Sequence, residues 1–238
     1  MSGRKWRIVV VGGHTRNIGK TQLVCDVIAA FPEAQWTAVK ITQHGHGVCA
    51  VNAESCDCAP AQHSAALDRQ AHADAQTDSG RFLAAGARRA FWLRTKQGFL
   101  PEGLPLLRAA LDESAAESAA EIGEDSATLP LNLILESNSL LKFLRPSLYL
   151  VVLDPRQSDF KPTAREVLDR ADALVLRAPL PGGSEESRGT EALWNDVPLR
   201  VIRAKPCFLQ RQGDALPEEL RGMVKRLLRG QEAVSVGG

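Results

Sequence analysis

The stretch GGHTRNIGKTQ, Gly12 to Gln22, decides how the rest of the chain is read. It follows the apolar run Ile8-Val9-Val10-Val11 and precedes a segment, Lys20 to Phe31, with Leu23, Val27, Ile28 and Phe31 on one helical face. A strand, a glycine-rich turn and a helix opening at Lys-Thr is the order that a phosphate-binding loop requires. The turn's N–H groups face inward and the helix N-terminus carries partial positive charge, so both favour polyphosphate oxygens. In that reading Gly19 permits close approach, Lys20 reaches the β- and γ-phosphates, and the Thr21 hydroxyl ligates Mg²⁺. The usual G-x-x-x-x-G-K-[ST] spacing wants its first glycine where this chain has His14; Gly13 lies one residue earlier. The alternative is a turn that holds Gly-Lys-Thr by accident, and the flanking strand and helix argue against it.

Working outward, apolar runs alternate with helical patterns. Strands are expected at Arg7 to Val11, Trp36 to Ile41, Ala90 to Arg94, Leu131 to Leu135, Leu148 to Leu153, Ala173 to Leu176 and Leu199 to Ile202. Helices are expected at Lys20 to Phe31, Ser79 to Ala87, Pro101 to Leu111, Thr163 to Ala171 and Pro217 to Leu228. Residues 42 to 77 read as an irregular, Ala-, His- and Cys-rich insertion, too long for an ordinary connection. DESAAESAAEIGEDSAT carries six acids and no Lys or Arg, so about 112–128 is expected to be a solvated helix end or flexible segment. Residues 179 to 191 read as a flexible loop. Continuous aliphatic strands alternating with helices predict a three-layer α/β/α domain with a mainly parallel sheet, and a single domain over 1–238. Right-handed crossovers then bring the strand-to-loop junctions to one sheet edge, where ligands bind.

The five residues between Gly13 and Gly19 have a parallel. Gly13, Thr15, Gly19, Lys20 and Thr21 resemble the G-T-x-T-x-x-G-K-T loop of dethiobiotin synthetase and related amidoligases, in the P-loop class that also holds MinD and signal-recognition-type GTPases. AVKITQHGHG, with Lys40, His44 and His46, resembles the lysine and His-rich stretch after the second strand of the molybdopterin-guanine dinucleotide biosynthesis B proteins. Dethiobiotin synthetases share the lysine, and a merely solvated Lys40 is the plainer alternative. TDSGRFLAAGARRAFWL resembles the D-S-x-R-x-x-x-A-G-A segment of that same B family at Asp78, Ser79, Arg81, Ala85, Gly86 and Ala87. Asp78 and Ser79 suit a helix cap, and Arg81 one turn later suits a phosphate. LNLILE ends in Glu136, where a Walker-B-type acid would hold Mg²⁺ through water, but Ser137-Asn138 follows where the resembling families have glycine.

These resemblances imply a P-loop NTPase that binds GTP or ATP with Mg²⁺, hydrolyses it slowly and assists molybdenum cofactor biosynthesis beside an enzyme of that pathway. The expected nucleotide-binding set is Gly13, His14, Thr15, Asn17, Ile18, Gly19, Lys20, Thr21, Gln22, Asp78 and Arg81, with Asn17 alternatively only fixing the turn. Lys20, Lys40 and Glu136 are the catalytic candidates, and Thr21 and Glu136 the Mg²⁺ ligands. A homodimer across the nucleotide face is expected from the P-loop class. No N-K-x-D base-reading motif is present, so guanine and adenine stay open; Arg177-Ala178-Pro179 holds a suitable place without the residues. The rivals are an ATP-dependent ligase of the dethiobiotin type, and a nucleotide- or metal-sensing regulatory module.

Neither resemblance accounts for the insertion. Cys49, Cys56, Cys58 and His63 have the spacing C-x6-C-x-C-x4-H, and three thiolates with an imidazole suit Zn²⁺, or an iron–sulfur cluster; a loop of unliganded thiols is the alternative. Cys25 and Cys207 read as small packing residues. With 238 residues, 44% hydrophobic and a net charge of +1, the chain suits one sizeable core and gives no overall basic field for nucleic acid. It has no apolar run of membrane-spanning length and no signal-peptide core, so a cytoplasmic protein is expected.

Overall fold

The computed structural model describes residues 6–44, 63–122, 130–178, 194, 197 and 199–230. Among the described residues eight strands form one sheet: β1 (Trp6–Gly13), β2 (Thr37–His44), β3 (Ala65–Arg69), β4 (Arg89–Lys96), β5 (Leu131–Glu136), β6 (Leu148–Leu153), β7 (Ala173–Leu176) and β8 (Cys207–Leu209). Their spatial order is β3-β4-β2-β5-β1-β6-β7-β8. Every neighbouring pair is parallel except β3–β4. The α-helices among the described residues are α1 (Lys20–Ala30), α2 (Asp78–Ala84), α3 (Leu100–Ile122), α4 (Pro162–Arg165), α5 (Leu199–Arg203) and α6 (Glu218–Leu228).

Continuous apolar strands exist here because both sheet faces are covered, so neither face needs polar residues. All six residues of LYLVVL in β6 and all four of ALVL in β7 are buried. Alternate residues then feed two cores. Val9, Val11 and Ile134 pack with Leu23, Val27 and Ile28 of α1, Phe82 of α2 and Leu220 and Val224 of α6. Val10, Val39 and Leu135 pack on the other face with Leu107 and Leu111 of α3, Ala164 of α4 and Ile202 of α5. The result is the expected three-layer α/β/α arrangement with a mainly parallel sheet, with β1 at the centre between β5 and β6. Among the described residues, no helix is long and apolar enough to cross a membrane.

Three expectations are corrected. Leu199 to Ile202 is helical, with Ile202 buried against the sheet, and Cys207–Leu209 supplies the edge strand instead. A short apolar run does not separate buried helix from buried strand, and neighbouring packing decides it. Within the insertion expected to be irregular, Ala65–Arg69 forms β3, antiparallel to β4, with Asp68 accepting from Arg94 at 2.5 Å. The acidic stretch takes its helix-end alternative as far as Ile122, with Glu117 receiving both Arg69 (2.8 Å) and Arg89 (3.0 Å) from the sheet edge. The helix expected over Thr163 to Ala171 is split into α4 and a 3₁₀ turn at Leu168–Arg170. Cys25 is buried as expected, whereas Cys207 is exposed on the edge strand.

The two-sided core makes a graded test. Ile134→Ala, at a fully buried position, is expected to cost about 2–5 kcal/mol and lower Tm by roughly 5–15 °C. Leu106→Ala on the exposed side of α3 is expected to stay within about 0.5 kcal/mol. Thermal unfolding of the two variants compares them directly.

Candidate phosphate-binding site

The loop between β1 and α1 lies at the C-terminal edge of the central strand. Asn17 (φ 55°) and Gly19 (φ 86°) both take left-handed backbone conformations, which turn the chain into α1. At Gly19 a side chain would be strained by that φ, and a Cβ would also sit 3.0 Å from the Arg177 guanidinium. The first turn of α1 has no side-chain cap and no acidic residue, so its N–H groups face the loop unneutralised.

Three supports hold the loop from outside. Asn138, just past β5, accepts from the Gly13 N–H at 2.9 Å and donates to the Gly13 carbonyl at 2.8 Å. Its side-chain amide thus pairs with a main-chain amide as another strand would. Gly12 must be glycine here, because a Cβ would collide with that amide and with the Tyr149 ring. From the loop after β6, Asp159 accepts from the Thr15 hydroxyl, and the Lys161 N–H donates to the His14 carbonyl at 2.8 Å. From the end of β7, buried Arg177 donates to the carbonyls of Ile18 (3.2 Å) and Gly19 (2.6 Å). Its other nitrogen bonds the Gln210 carbonyl and side chain, both at 3.1 Å.

Inside the loop, the Lys20 ammonium donates to the Thr15 carbonyl at 2.7 Å. Burial lowers its pKa to about 8, with Lys40 and Lys161 adding repulsion and Glu136 pulling the other way. Opposite it lies a cluster drawn from four elements. Thr21, in the first turn of α1, donates to Glu136 Oε2 at 2.7 Å. Lys40 on β2 reaches Glu136 Oε1 at 2.5 Å and Asp78 Oδ2 at 2.8 Å. Burial opposes the charge on Lys40, yet Glu136 and Asp78 raise its pKa on balance. The Asp78 carboxyl is held below its usual range: burial opposes this, and Lys40, Thr21 and Arg81 outweigh it.

Asp78 is available for this cluster because Thr77 caps α2, accepting from the Gly80 N–H at 3.0 Å. Asp78 and Ser79 are therefore not the cap; Ser79 is buried and donates to Gln70 at 2.8 Å. Arg81 donates to Gln22 at 2.9 Å, and Gln22 continues to Asp26 at 2.7 Å. Gln210 donates to the other Asp26 oxygen at 2.8 Å, which closes a polar chain behind the loop from α2 to Arg177.

A cavity of about 820 Å³ opens over these residues. Thr15 to Gln22, Lys40, Asp78, Arg81 and Glu136 line it, so most of the expected set is brought together. Two members are corrected. His14 is fully enclosed, its ring 5.3 Å from Phe160 and 5.2 Å from Trp194, so it serves packing rather than ligand contact. Burial lowers its pKa, which keeps the ring neutral in that aromatic box. Gly13 has its N–H and carbonyl taken by Asn138 and contributes shape only. Cys49, Cys56, Cys58 and His46 lie outside the described residues; His63 is exposed. Among the described residues no cluster of three metal-ligating side chains occurs.

The Thr21 hydroxyl and the Glu136 and Asp78 carboxylates are hard oxygen donors, the chemistry that suits Mg²⁺ alongside phosphate oxygens and water. The Lys40 ammonium now sits between those carboxylates, and an entering Mg²⁺ would have to displace it. Three supporting residues were not recognised from sequence. Asn138 was visible only as a departure from Glu-Gly, Arg177 only as a missing base-reading motif, and Asp159 gave no signal.

Two measurements probe the loop. A bound triphosphate favours the Lys20 ammonium, which is already present below about pH 8 and absent well above it. Affinity should therefore fall as pH rises through about 8, and calorimetry near pH 9 in buffers of different ionisation heat should show proton uptake. Lys20→Arg should remove that uptake. Arg177→Lys keeps the charge but not the fork that grips two carbonyls. It should weaken triphosphate binding about tenfold and lower Tm, a loss on the scale of one charged hydrogen bond.

No family model and no curated protein matches the chain. Among solved structures, the crystal structure of HypB from Helicobacter pylori in complex with nickel is similar to it at 11% identity and a TM-score of 0.40, covering 97% of this chain and 92% of that one. A superposition this loose transfers neither ligand nor activity. The functional reading therefore stands on the loop and the cluster opposite it.

Proposed function

We propose that the chain binds a nucleoside triphosphate, GTP or ATP, with Mg²⁺ and hydrolyses it slowly. The observation that carries this is the convergence of Lys20, Thr21, Lys40, Asp78 and Glu136 at an uncapped helix N-terminus, around one cavity. Lys20 exchanges the Thr15 carbonyl for phosphate oxygens, and the N–H groups of α1's first turn bind the same anion. Thr21 with Glu136 and Asp78 would hold Mg²⁺, which when bound neutralises phosphate charge. Lys40, released from the carboxylates, supplies a further ammonium to the terminal phosphate. Positioning and charge stabilisation account for most of the rate in such sites. Slow turnover follows because Glu136 would be engaged in holding Mg²⁺ and is then poorly disposed to take a proton from water.

The finer assignment is assistance to molybdenum cofactor biosynthesis. It rests on the resemblance at Lys40 and at Asp78 to Ala87, and is supported by Lys40 and Asp78, from separate motifs, meeting at 2.8 Å. We infer a homodimer across the nucleotide face on the same footing. One observation favours a second reading, an ATP-dependent ligase. The cavity extends past the phosphate loop to Thr42, Gln43 and Trp92, leaving room for an acceptor beside the terminal phosphate.

Native mass spectrometry of protein from its own cells would show bound nucleotide, any pterin and the oligomeric state together. Calorimetry should show Mg²⁺-dependent binding of GTP or ATP that Lys20→Ala abolishes, and Glu136→Gln should suppress hydrolysis. Absence of binding by either nucleotide, with Lys20→Ala indistinguishable from the parent, would sink the proposal. Phosphate release only when a small carboxylate or amine is added would favour the ligase.

A further inference from the structure

The cavity is lined by seven basic and three acidic side chains among the described residues. The three acids are already matched: Glu136 and Asp78 with Lys40, and Asp154 with Arg156 at 2.8 Å. Lys161 is different. It enters the cavity from the loop after β6, on the opposite side of the phosphate loop from β2. Its main chain is fixed, since its N–H donates to the His14 carbonyl at 2.8 Å, and Asp159 two residues earlier takes the Thr15 hydroxyl. Its ammonium has neither a hydrogen-bond nor an ion-pair partner among the described residues. The backbone of Lys161 is thus anchored on the loop while its charge is left unmatched.

The electrostatics point the same way. Burial lowers the pKa of Lys161, with Arg16 and Lys40 adding repulsion and Asp159 partly offsetting it. Lys20 feels Lys40 and Lys161 as repulsive neighbours. Three ammonium groups held in one partly desolvated cavity are a standing cost in the unliganded protein. A polyanion with several charges adds an attraction to each ammonium that outweighs their mutual repulsion. A monoanion cannot satisfy three separated ammoniums at once.

We propose that Lys161 is a further ligand-binding residue, an ammonium that the β6 loop supplies to the terminal phosphate of a bound polyphosphate, opposite Lys40. This rests on the phosphate-binding reading of the site and deepens it by making the site selective for polyphosphate length. Lys161 would report the terminal phosphate, so that triphosphate and diphosphate differ in how firmly the β6 loop is drawn onto the phosphate loop.

The test uses the full chain, with Lys161→Met and Lys161→Arg, titrated with GTP, ATP, the matching di- and monophosphates, and inorganic tripolyphosphate, each with Mg²⁺. Lys161→Met is expected to weaken triphosphate and tripolyphosphate binding about tenfold or more, change monophosphate binding less than about twofold, and leave the unliganded Tm equal or higher. Lys161→Arg should restore most of the loss. Equal affinities for all ligands in parent and Lys161→Met, or a uniform loss with a lowered unliganded Tm, would overturn the proposal and leave Lys161 a structural residue. If tripolyphosphate binds and depends on Lys161 while no nucleotide binds, the nucleotide reading fails and this one stands. If neither nucleotide nor tripolyphosphate binds the parent, both fall.

Discussion

The bond from Lys40 to Glu136 and Asp78 is the interaction around which the site is organised. It joins the middle of β2 to the end of β5 at 2.5 Å and to the start of α2 at 2.8 Å, while Glu136 also holds Thr21 at the start of α1. Four elements separated widely in sequence therefore meet through one ammonium. A buried ion pair of this kind is a poor source of stability, since desolvating each partner offsets most of the attraction. Its value lies in position. Two carboxylates could not share that space without a cation, and the cation is tethered, so the cluster is assembled before anything is bound.

The phosphate loop depends on the same logic of external support. Its own backbone takes two left-handed turns, and within the loop Lys20 holds the Thr15 carbonyl. Asn138, the Asp159–Lys161 segment and Arg177 reach it from the loops after β5, β6 and β7. These outside bonds take the carbonyls of Gly13, His14, Ile18 and Gly19 and so fix the path of the loop. That preorganisation lets a loop with His14 where a glycine is usual keep its shape: the imidazole fills an aromatic box between Phe160 and Trp194, away from the cavity.

Most of the strands were legible because burial on both faces leaves an aliphatic run that survives any detail of neighbours. Leu148–Leu153 and Ala173–Leu176 coincide with their expectations for that reason. Leu199 to Ile202 did not, because a run of that length carries no period, and only the slot it fills separates helix from strand. Ala65–Arg69 was missed because an edge strand with exposed Asp68 and Arg69 has no apolar signature; pairing with β4 makes it a strand. The acidic run could be read as solvated, and its helical part is held by arginines from two distant strands.

The sequence by itself determined most of the alternation of strands and helices, the mainly parallel sheet, and the strand–loop–helix unit with Lys20 and Thr21 at its centre. These follow from local chemistry: which residues tolerate burial, which turn the chain, and which carry charge at a helix start. The tertiary structure alone decided which candidates share a site. It sent His14 into the core, assigned the cap of α2 to Thr77, and so left Asp78 for Lys40. It also brought Asn138, Lys161 and Arg177 to a loop more than a hundred residues away in sequence. No local pattern encodes such meetings, because they arise from the register of parallel strands whose ends are aligned only when the sheet forms.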